Sequence, residues 1–282
     1  MAKLNIIVSS LNPELFTTKR LLDEATKLKH SALYINPYQF QIPLKSQKMG
    51  GLYFHRTTGT NYDDFDLVVT KHHADMGMTV TNPIEGLSLF RTKDSQSLFF
   101  NLHKIPAIKT MLYRGVLTEE MKQSLSDLSK NGKYILKMSR GNQGIGVNFL
   151  ESKKSLMSIL ETFHAMKDQR FMIQPFVEHT REWRLFIVRG EVLACIEKKI
   201  SSEDFRGNSK RSTAKYLKKI PAEIESIALH AFSKSHLHYA GIDLLETKDK
   251  KILVLEVNAI PGFEQAEELS GRNLARELLI AH

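Results

Sequence analysis

The sequence is short of the residues that form cross-links and membrane anchors. It has one cysteine, Cys195, in 282 residues. That excludes an internal disulfide and a cysteine-built metal site. No apolar run approaches the ~20 residues needed to cross a bilayer. The opening MAKLNIIVSSLNPELF is too poor in apolar residues for a secretory signal. These absences point to the cytoplasm. A Walker phosphate loop is also missing, because no glycine-rich stretch ends in G-K-[ST]. What the chain does have is positive charge, 40 Lys and Arg against 31 Asp and Glu, for a net +9. Such an excess suits an anionic ligand or an acidic partner. The length suits two small domains or one composite α/β unit, and there is no internal repeat.

Strands and helices alternate along the first 90 residues. KLNIIVSS, ALYIN, GLYFHR and MTVTN read as strands, and TTKRLLDEATKLK and NYDDFDLVVTKHHADMG as helices. This alternation predicts a parallel sheet. Further on, KDSQSLFFNLHKI reads as a helix and IPAIKTMLY as a connecting strand. TEEMKQSLSDLSKNG is a helix with Thr118 as its cap, Met121, Leu125 and Leu128 as its buried stripe and Gly132 as its end. SLMSILETFHAMK is a second amphipathic helix. RFMIQPFV is a strand, REWRLFIVRGEVLACIEKK a hairpin turning at Arg189-Gly190, and YAGIDLLETKDKKILVLEVN a second hairpin. Helices follow Pro221 and occupy GRNLARELLIAH. The fold class is α/β (α+β).

The second hairpin carries a polar pair, Glu256 and Asn258, in an apolar run. A tight turn at Asp249-Lys250 sets Ile242 opposite Val257 and Leu244 opposite Leu255 on one surface. Asp243 then stands opposite Glu256 on the other, beside Asn258. Directly opposed side chains lie ~5 Å apart at Cβ, and two carboxylates that close repel unless a cation lies between them. Two carboxylates and an amide oxygen are hard ligands that suit Mg²⁺ with phosphate oxygens completing its shell. A one-residue slip would split the trio between faces; an ordinary solvated sheet surface is the competing reading.

In KMSRGNQGIGV, Gly141, Gly144 and Gly146 can bring backbone N–H groups to an anion, or simply turn a hairpin. A strand rather than a helix follows, so this is no dinucleotide fingerprint. Lys137, inside the preceding apolar strand, needs a partner and favours the phosphate reading. From Lys198 to Lys219 eight Lys or Arg face Glu203 and Asp204, a local balance of 8 − 2 = +6. Either a solvated loop or a loop closing over phosphates or an acidic substrate is consistent with that run.

ILKMSRGNQGIGV, QPFVEHTREWRLFIVRGEVLACIEKK, DFRGN and GIDLL…LVLEVNAIPGFE together resemble the ATP-grasp superfamily. Within it they are similar to the ribosomal-protein glutamate ligase (RimK) and glutathione synthase branch. The resemblance covers most of the chain and implies an N-terminal α/β domain (1–90), a central subdomain with the glycine-rich loop (91–172) and a C-terminal subdomain with the metal site (173–282), the last two clasping a nucleotide. It implies that ATP phosphorylates a carboxylate and an amine displaces the phosphate to form an amide. Matched residue by residue, Lys93 and Lys137 would hold phosphates, together with Gly141, Gly144 and Gly146. Gln174, Pro175, Phe176 and Val177 would form the adenine hinge, with Glu182 near the ribose. Arg206 and Asn208 would act at the transferred phosphoryl group. Asp243, Glu256 and Asn258 would bind Mg²⁺, or Mn²⁺ in its place, with two ions expected. Positioning and charge neutralisation are what phosphoryl transfer needs.

Glu182 stands where that branch often has Asp, TKD around Lys93 is a loose match, and the loop after DFRGN is basic where relatives are glycine-rich. Lys210, Arg211 and Tyr216 in that region are candidate contacts for an acidic carboxylate substrate; the amine acceptor is an amino acid, peptide or protein tail. Nucleic acid is disfavoured, since only Phe205 and Tyr216 interrupt the basic run. Homo-oligomerisation is compatible with the sequence. His72-His73 and His236/His238 lack partner ligands for zinc, and Trp183 and Cys195 read as core. The alternative function is a nucleotide-binding protein of this fold without ligase chemistry.

Overall fold

The computed structural model describes residues 3–43, 45, 47–58, 63–114, 118–141, 146–164, 170–199 and 213–282. Among them the strands form three sheets.

The first is the parallel sheet expected from the N-terminal alternation. It comprises β1 (Asn5–Ser9), β2 (Ser31–Ile35) after helix α1 (Phe16–Lys27), β3 (Leu52–His55), and β4 (Thr79–Val80) after α2 (Phe65–Asp75). Their order is β2-β1-β3-β4, every pair parallel. Leu21 and Ala25, one helical turn apart, bury the inner stripe of α1 against Ile6 and Val8. Two helices then follow Pro83, a short α3 (Ile84–Leu89) that the sequence pattern did not reveal and α4 (Lys93–Leu102).

The second sheet has the order β5-β8-β6-β7 and is antiparallel. Its strands are β5 (Met111–Tyr113), β6 (Tyr134–Met138), β7 (Val147–Leu150) and β8 (Phe171–Pro175), with α5 (Glu119–Leu128) before β6 and α6 (Lys153–His164) before β8. Only three residues of IPAIKTMLY pair in this sheet; Ala107 instead bridges Val254 of the third. Thr118 caps α5 as expected, its Oγ1 accepting the Met121 N–H at 3.1 Å. The helix ends at Leu128 rather than at Gly132, because Ser129 is already extended and Gly132 serves the turn beyond it with φ 69°. The core here consists of Tyr113, Leu125, Tyr134, Leu136, Leu150, Leu156, Leu160, Phe171 and Ile173, all from this unit.

The third sheet, β11-β10-β9-β12-β13, is antiparallel throughout. It comprises β9 (His179–Val188), β10 (Glu191–Lys199), β11 (Thr213–Tyr216), then after α7 (Ala222–Ser235) β12 (Tyr239–Thr247) and β13 (Ile252–Asn258); α8 (Glu264–Ser270) and α9 (Leu274–Ile280) end the chain. Arg189 and Gly190 both take positive φ between paired Val188 and Glu191, the two-residue hairpin the sequence predicts. The β12–β13 turn departs from expectation. Lys250 takes φ 66° and the Thr247 N–H bonds the Lys251 carbonyl at 2.9 Å, so the loop has three residues, not two. This shifts the register by one, and Leu244 pairs with Val254 instead of Leu255. A bulge then restores it, and Asp243 faces Glu256 as expected.

One face of the third sheet buries Trp183, Leu185, Cys195, Ile242, Leu244 and Val257 under α4 and α7. Trp183 and Cys195 are therefore core, and burial pushes the Cys195 thiol up to about 12. Part of the other face, Phe186, Val188, Ala194, Ile196 and Tyr239, shares a core with Ile6, Val8, Leu21 and Phe54 of the first sheet. Asn82 locks that junction. Its Nδ2 donates to the carbonyls of Tyr239 at 2.9 Å and Ala259 at 2.7 Å, and its Oδ1 accepts from the N–H groups of His238 at 2.8 Å and Tyr239 at 3.1 Å. Replacing Asn82 by Ala would strand four backbone groups in a buried place, at ~1–3 kcal/mol for each group left unpaired. We expect Asn82→Ala to lower the thermal midpoint by several degrees, and Asn82→Asp to lower it further because a carboxylate would face two carbonyls. Thermal melts of the two variants check this.

Candidate nucleotide and metal site

Where the third sheet is not covered by the first, its outer face turns polar. Pairing across strands sets Glu182 opposite Lys198, Arg184 opposite Asp243, and Asp243 opposite Glu256, with Asn258 two residues on. Arg184 grips Asp243 with both ends of its fork, Nε to Oδ1 at 2.6 Å and Nη2 to Oδ2 at 2.5 Å. Asp243 and Glu256 raise the Arg184 pKa further above its ordinary value. Lys198 is lowered by burial and by Arg184, against the opposite pull of Asp243 and Glu182. The Asn258 side chain accepts from Ile260 N–H at 2.9 Å, which fixes its orientation.

The second sheet contributes Lys137, on β6. The side chain is half-buried, and desolvation lowers it to about 8 even though Glu256 and Glu182 favour its charge; Lys93 opposes it. Lys93 opens α4. Its N–H donates to the Ser139 carbonyl at 2.9 Å and its Nζ to the carbonyl of Gly141. A cavity of about 70 Å³ lies at this junction, bordered by Thr58, Lys93, Gly141, Glu256 and Asn258. Thus Lys93, Lys137, Gly141, Glu182, Asp243, Glu256 and Asn258, scattered between positions 93 and 258, converge on one seam.

Residues 91–281 match the family model of the RimK-like ATP-grasp domain. The chain belongs to the RimK-like ATP-grasp family. Membership carries ATP-dependent amide-bond formation, with ATP and Mg²⁺ as nucleotide and metal. A curated relative, a probable alpha-L-glutamate ligase 2 of Shewanella sp. (strain MR-4), is 27% identical over 98% of this chain and 95% of its own. Among solved structures, the ATP-grasp ligase PsnB in complex with a phosphomimetic variant of its minimal precursor, Mg and ADP superposes with a TM-score of 0.75. It is 16% identical over 98% of this chain and 96% of its own. A RimK domain ATP-grasp protein from Sphaerobacter thermophilus superposes at 0.69, with 18% identity over 99% and 98% of the two chains.

Against that ATP-grasp frame, some matched residues sit differently from the sequence reading. The Phe176 N–H is already bonded to Lys133 O at 2.9 Å, its carbonyl accepts from Asn131 Nδ2 at 3.2 Å, and Pro175 has no N–H. The Phe176 backbone is therefore committed within the fold. Gln174 is buried, its Nε2 on Thr110 Oγ1 at 2.8 Å. Tyr216 is not in a loop: it lies on β11 opposite Ile196, half-buried against the core shared with the first sheet. Lys215 beside it is paired with Glu197 at 2.7 Å. Gly146 has φ 75° and packs on Met138, so a side chain there would collide with the Met138 sulfur. Gly144, Arg206, Asn208, Lys210 and Arg211 lie outside the described residues.

Two residues of the site escaped the sequence reading. Arg184 is one, although its spacing of two from Glu182 on a strand placed it on the same face. The other is His179, whose Nδ1 lies 3.0 Å from Val177 O and Nε2 2.9 Å from Glu182 Oε1. Both partners accept only, so the ring satisfies them as the doubly protonated imidazolium. Burial alone would lower its pKa, but the bonds to Glu182 and Val177 raise it overall.

The donor set fits the family's metal. Asp243, Glu256 and Asn258 offer oxygen atoms, and among the described residues no cluster of three or more His, Cys, Asp or Glu suggests a softer ion. His73 is spoken for by Val69 O at 2.8 Å and by a tilted ring contact with Tyr53.

The charges make a prediction about Lys137. Glu256 supports its cation and Lys93 opposes it, so Glu256→Gln should move the Lys137 pKa further down from about 8 and Lys93→Met should move it up. NMR titration of isotope-labelled lysines would read both shifts.

Proposed function

We propose that this ligase transfers the terminal phosphoryl group of ATP to a carboxylate and then joins that carboxyl to an amine, adding glutamate or another amino acid to an acidic peptide, protein tail or small molecule. The convergence of Lys137, Arg184, Asp243, Glu256 and Asn258 on one seam between two sheets carries the reading. Alternating cations and carboxylates suit a triphosphate and its metal; they suit neither a hydrophobic ligand nor a duplex. The names of the curated relatives support glutamate as the added group.

In this reading Lys93, Lys137 and the backbone of Gly141 hold phosphate oxygens. The segment Gln174–Val177 borders adenine, and Glu182, braced by His179, takes the ribose. Asp243, Glu256 and Asn258 hold Mg²⁺, which neutralises phosphate charge when bound. Two ions are proposed, with Mn²⁺ able to replace Mg²⁺. Arg206 and Asn208 act at the transferred group, with Lys210, Arg211 and Tyr216 on the substrate side. Arg184 and Lys198 add two cations beside Asp243. The net charge of +9 favours an acidic substrate. The single buried cysteine supports a cytoplasmic enzyme. No helix among the described residues is long and apolar enough to cross a membrane.

The direct test is mass spectrometry of products after incubation with ATP, Mg²⁺, glutamate and a panel of acidic acceptors, with ADP release followed in parallel. A product heavier by one glutamyl residue is expected; ATP binding without ADP release with any acceptor would leave a binding protein. Glu256→Gln should fold normally and lose about 10²–10³-fold in turnover, the scale of one lost charge-stabilising group. Normal turnover in the folded variant would remove Glu256 from the site. ATP affinity should fall as pH rises above about 8, because Lys137 binds phosphate only as the cation. Lys137→Met should flatten that dependence.

A further inference from the structure

A chain of ion pairs runs from the first sheet to the entrance of the glycine-rich loop. Arg140, between Ser139 and Gly141, places Nη1 at 2.8 Å from Asp64 Oδ1 and Nη2 at 2.7 Å from Asp64 Oδ2. Arg91 reaches the same carboxylate with Nε at 2.8 Å and holds Asp66 with Nη2 at 2.6 Å. Asp66 is fully buried beside His55, which burial drives down to about 4 and so keeps neutral. Two carboxylates thus face two guanidiniums, and the cluster is balanced. Both arginine side chains are at least nine-tenths buried, so each needs this compensation.

Asp64 behaves unusually for its position. It is the N-cap of α2, where an aspartate normally turns its carboxylate onto the first free N–H groups of the helix. Its side chain makes no such bond. Its backbone takes φ 56°, a left-handed conformation that a non-glycine residue holds at some cost. Both features are accounted for if the carboxylate is committed to the arginines. The loop entrance is fixed from the other side by Lys93, whose N–H and Nζ hold Ser139 O and Gly141 O. Arg91 and Lys93 are two residues apart, at the start of α4. One carboxylate from the start of α2 therefore ties together the two segments that present Lys93 and Gly141.

We propose that Asp64 is a positioning residue for the nucleotide phosphates: through its fork with Arg140 it sets, from outside the two sheets that clasp the nucleotide, where the glycine-rich loop begins. This rests on the reading that Lys93 and Gly141 border the phosphates. Asp64 itself touches no nucleotide. Without it, Arg140 loses both carboxylate bonds that hold it beside Gly141.

Titration calorimetry with ATP and with adenosine tests this on the wild type, Asp64→Asn, Arg140→Gln and the double variant, with melting curves on the same samples. Each single change should weaken ATP about tenfold and leave adenosine affinity within about twofold, since adenosine does not reach the loop. The double variant should be no weaker than the weaker single, because the two act through one contact. Arg140→Lys, which keeps charge but loses the fork, should fall between wild type and Arg140→Gln. Equal losses for ATP and adenosine, additive losses in the double variant, or unchanged ATP affinity with a lowered melting point would each overturn the proposal and leave Asp64 a structural residue. A wild type that does not bind ATP would overturn the nucleotide reading itself, and this proposal with it.

Discussion

The structure turns on two carboxylates that face each other on neighbouring strands. Asp243 and Glu256 are a directly paired couple on β12 and β13. Like charges so placed repel, and partial burial deepens the penalty because solvent screens it less. The pair persists because cations surround it. Arg184 comes from β9 in the same sheet, with its fork on Asp243. Lys198 comes from β10, opposite Glu182. Lys137 comes from a different sheet, and its own burial is tolerated because Glu256 and Glu182 pull toward the charged form. The acids therefore determine where the second sheet must lie, and the lysine in turn requires the acids.

That mutual requirement explains which parts of the site were legible in the chain. Strand alternation is enough to align Asp243 with Glu256 and Asn258, so the trio could be read from the second hairpin alone. The turn was read wrongly, as two residues instead of three. The facing pair survived because the bulge at Leu255 takes up the extra residue before Glu256. A bulge leaves no mark in hydropathy, since Val254 and Leu255 are both apolar and either can fill the core position. Glycine at 141 and 146 and a lysine inside an apolar strand were also visible, for each is costly without a ligand or a turn to explain it.

What was hidden depends on contacts between distant segments. Arg184 looked like one more charge on an amphipathic strand; only the neighbour brought in by β12, 59 positions away, gives it a partner. His179 and Glu182 are near in sequence, but the role of the ring depends on the Val177 carbonyl behind it. Tyr216 and Lys215 were read as part of a basic loop because charge masks a four-residue edge strand. The actual determinant is pairing with β10, including Lys215 on Glu197. Asp64, read as part of the first turn of a helix, is instead its N-cap and lacks the capping bond.

The three sheets are not joined in the same way. The first and third share one apolar core and the four hydrogen bonds of Asn82, so they behave as a single support. The second keeps its core to itself. Its described ties to the rest are largely polar: Lys93 on Ser139 and Gly141, Arg140 on Asp64, and Arg170 on Asp94 at 3.0 Å. Polar groups can exchange such partners for water or for a charged ligand at modest net cost, whereas parting an apolar core exposes surface at ~25 cal/mol per Å². The division of contacts therefore leaves one polar seam, the one at which we propose that the triphosphate enters. The lysines and carboxylates lie along it, and the ion pair of Asp64 with Arg140 crosses it beside Gly141.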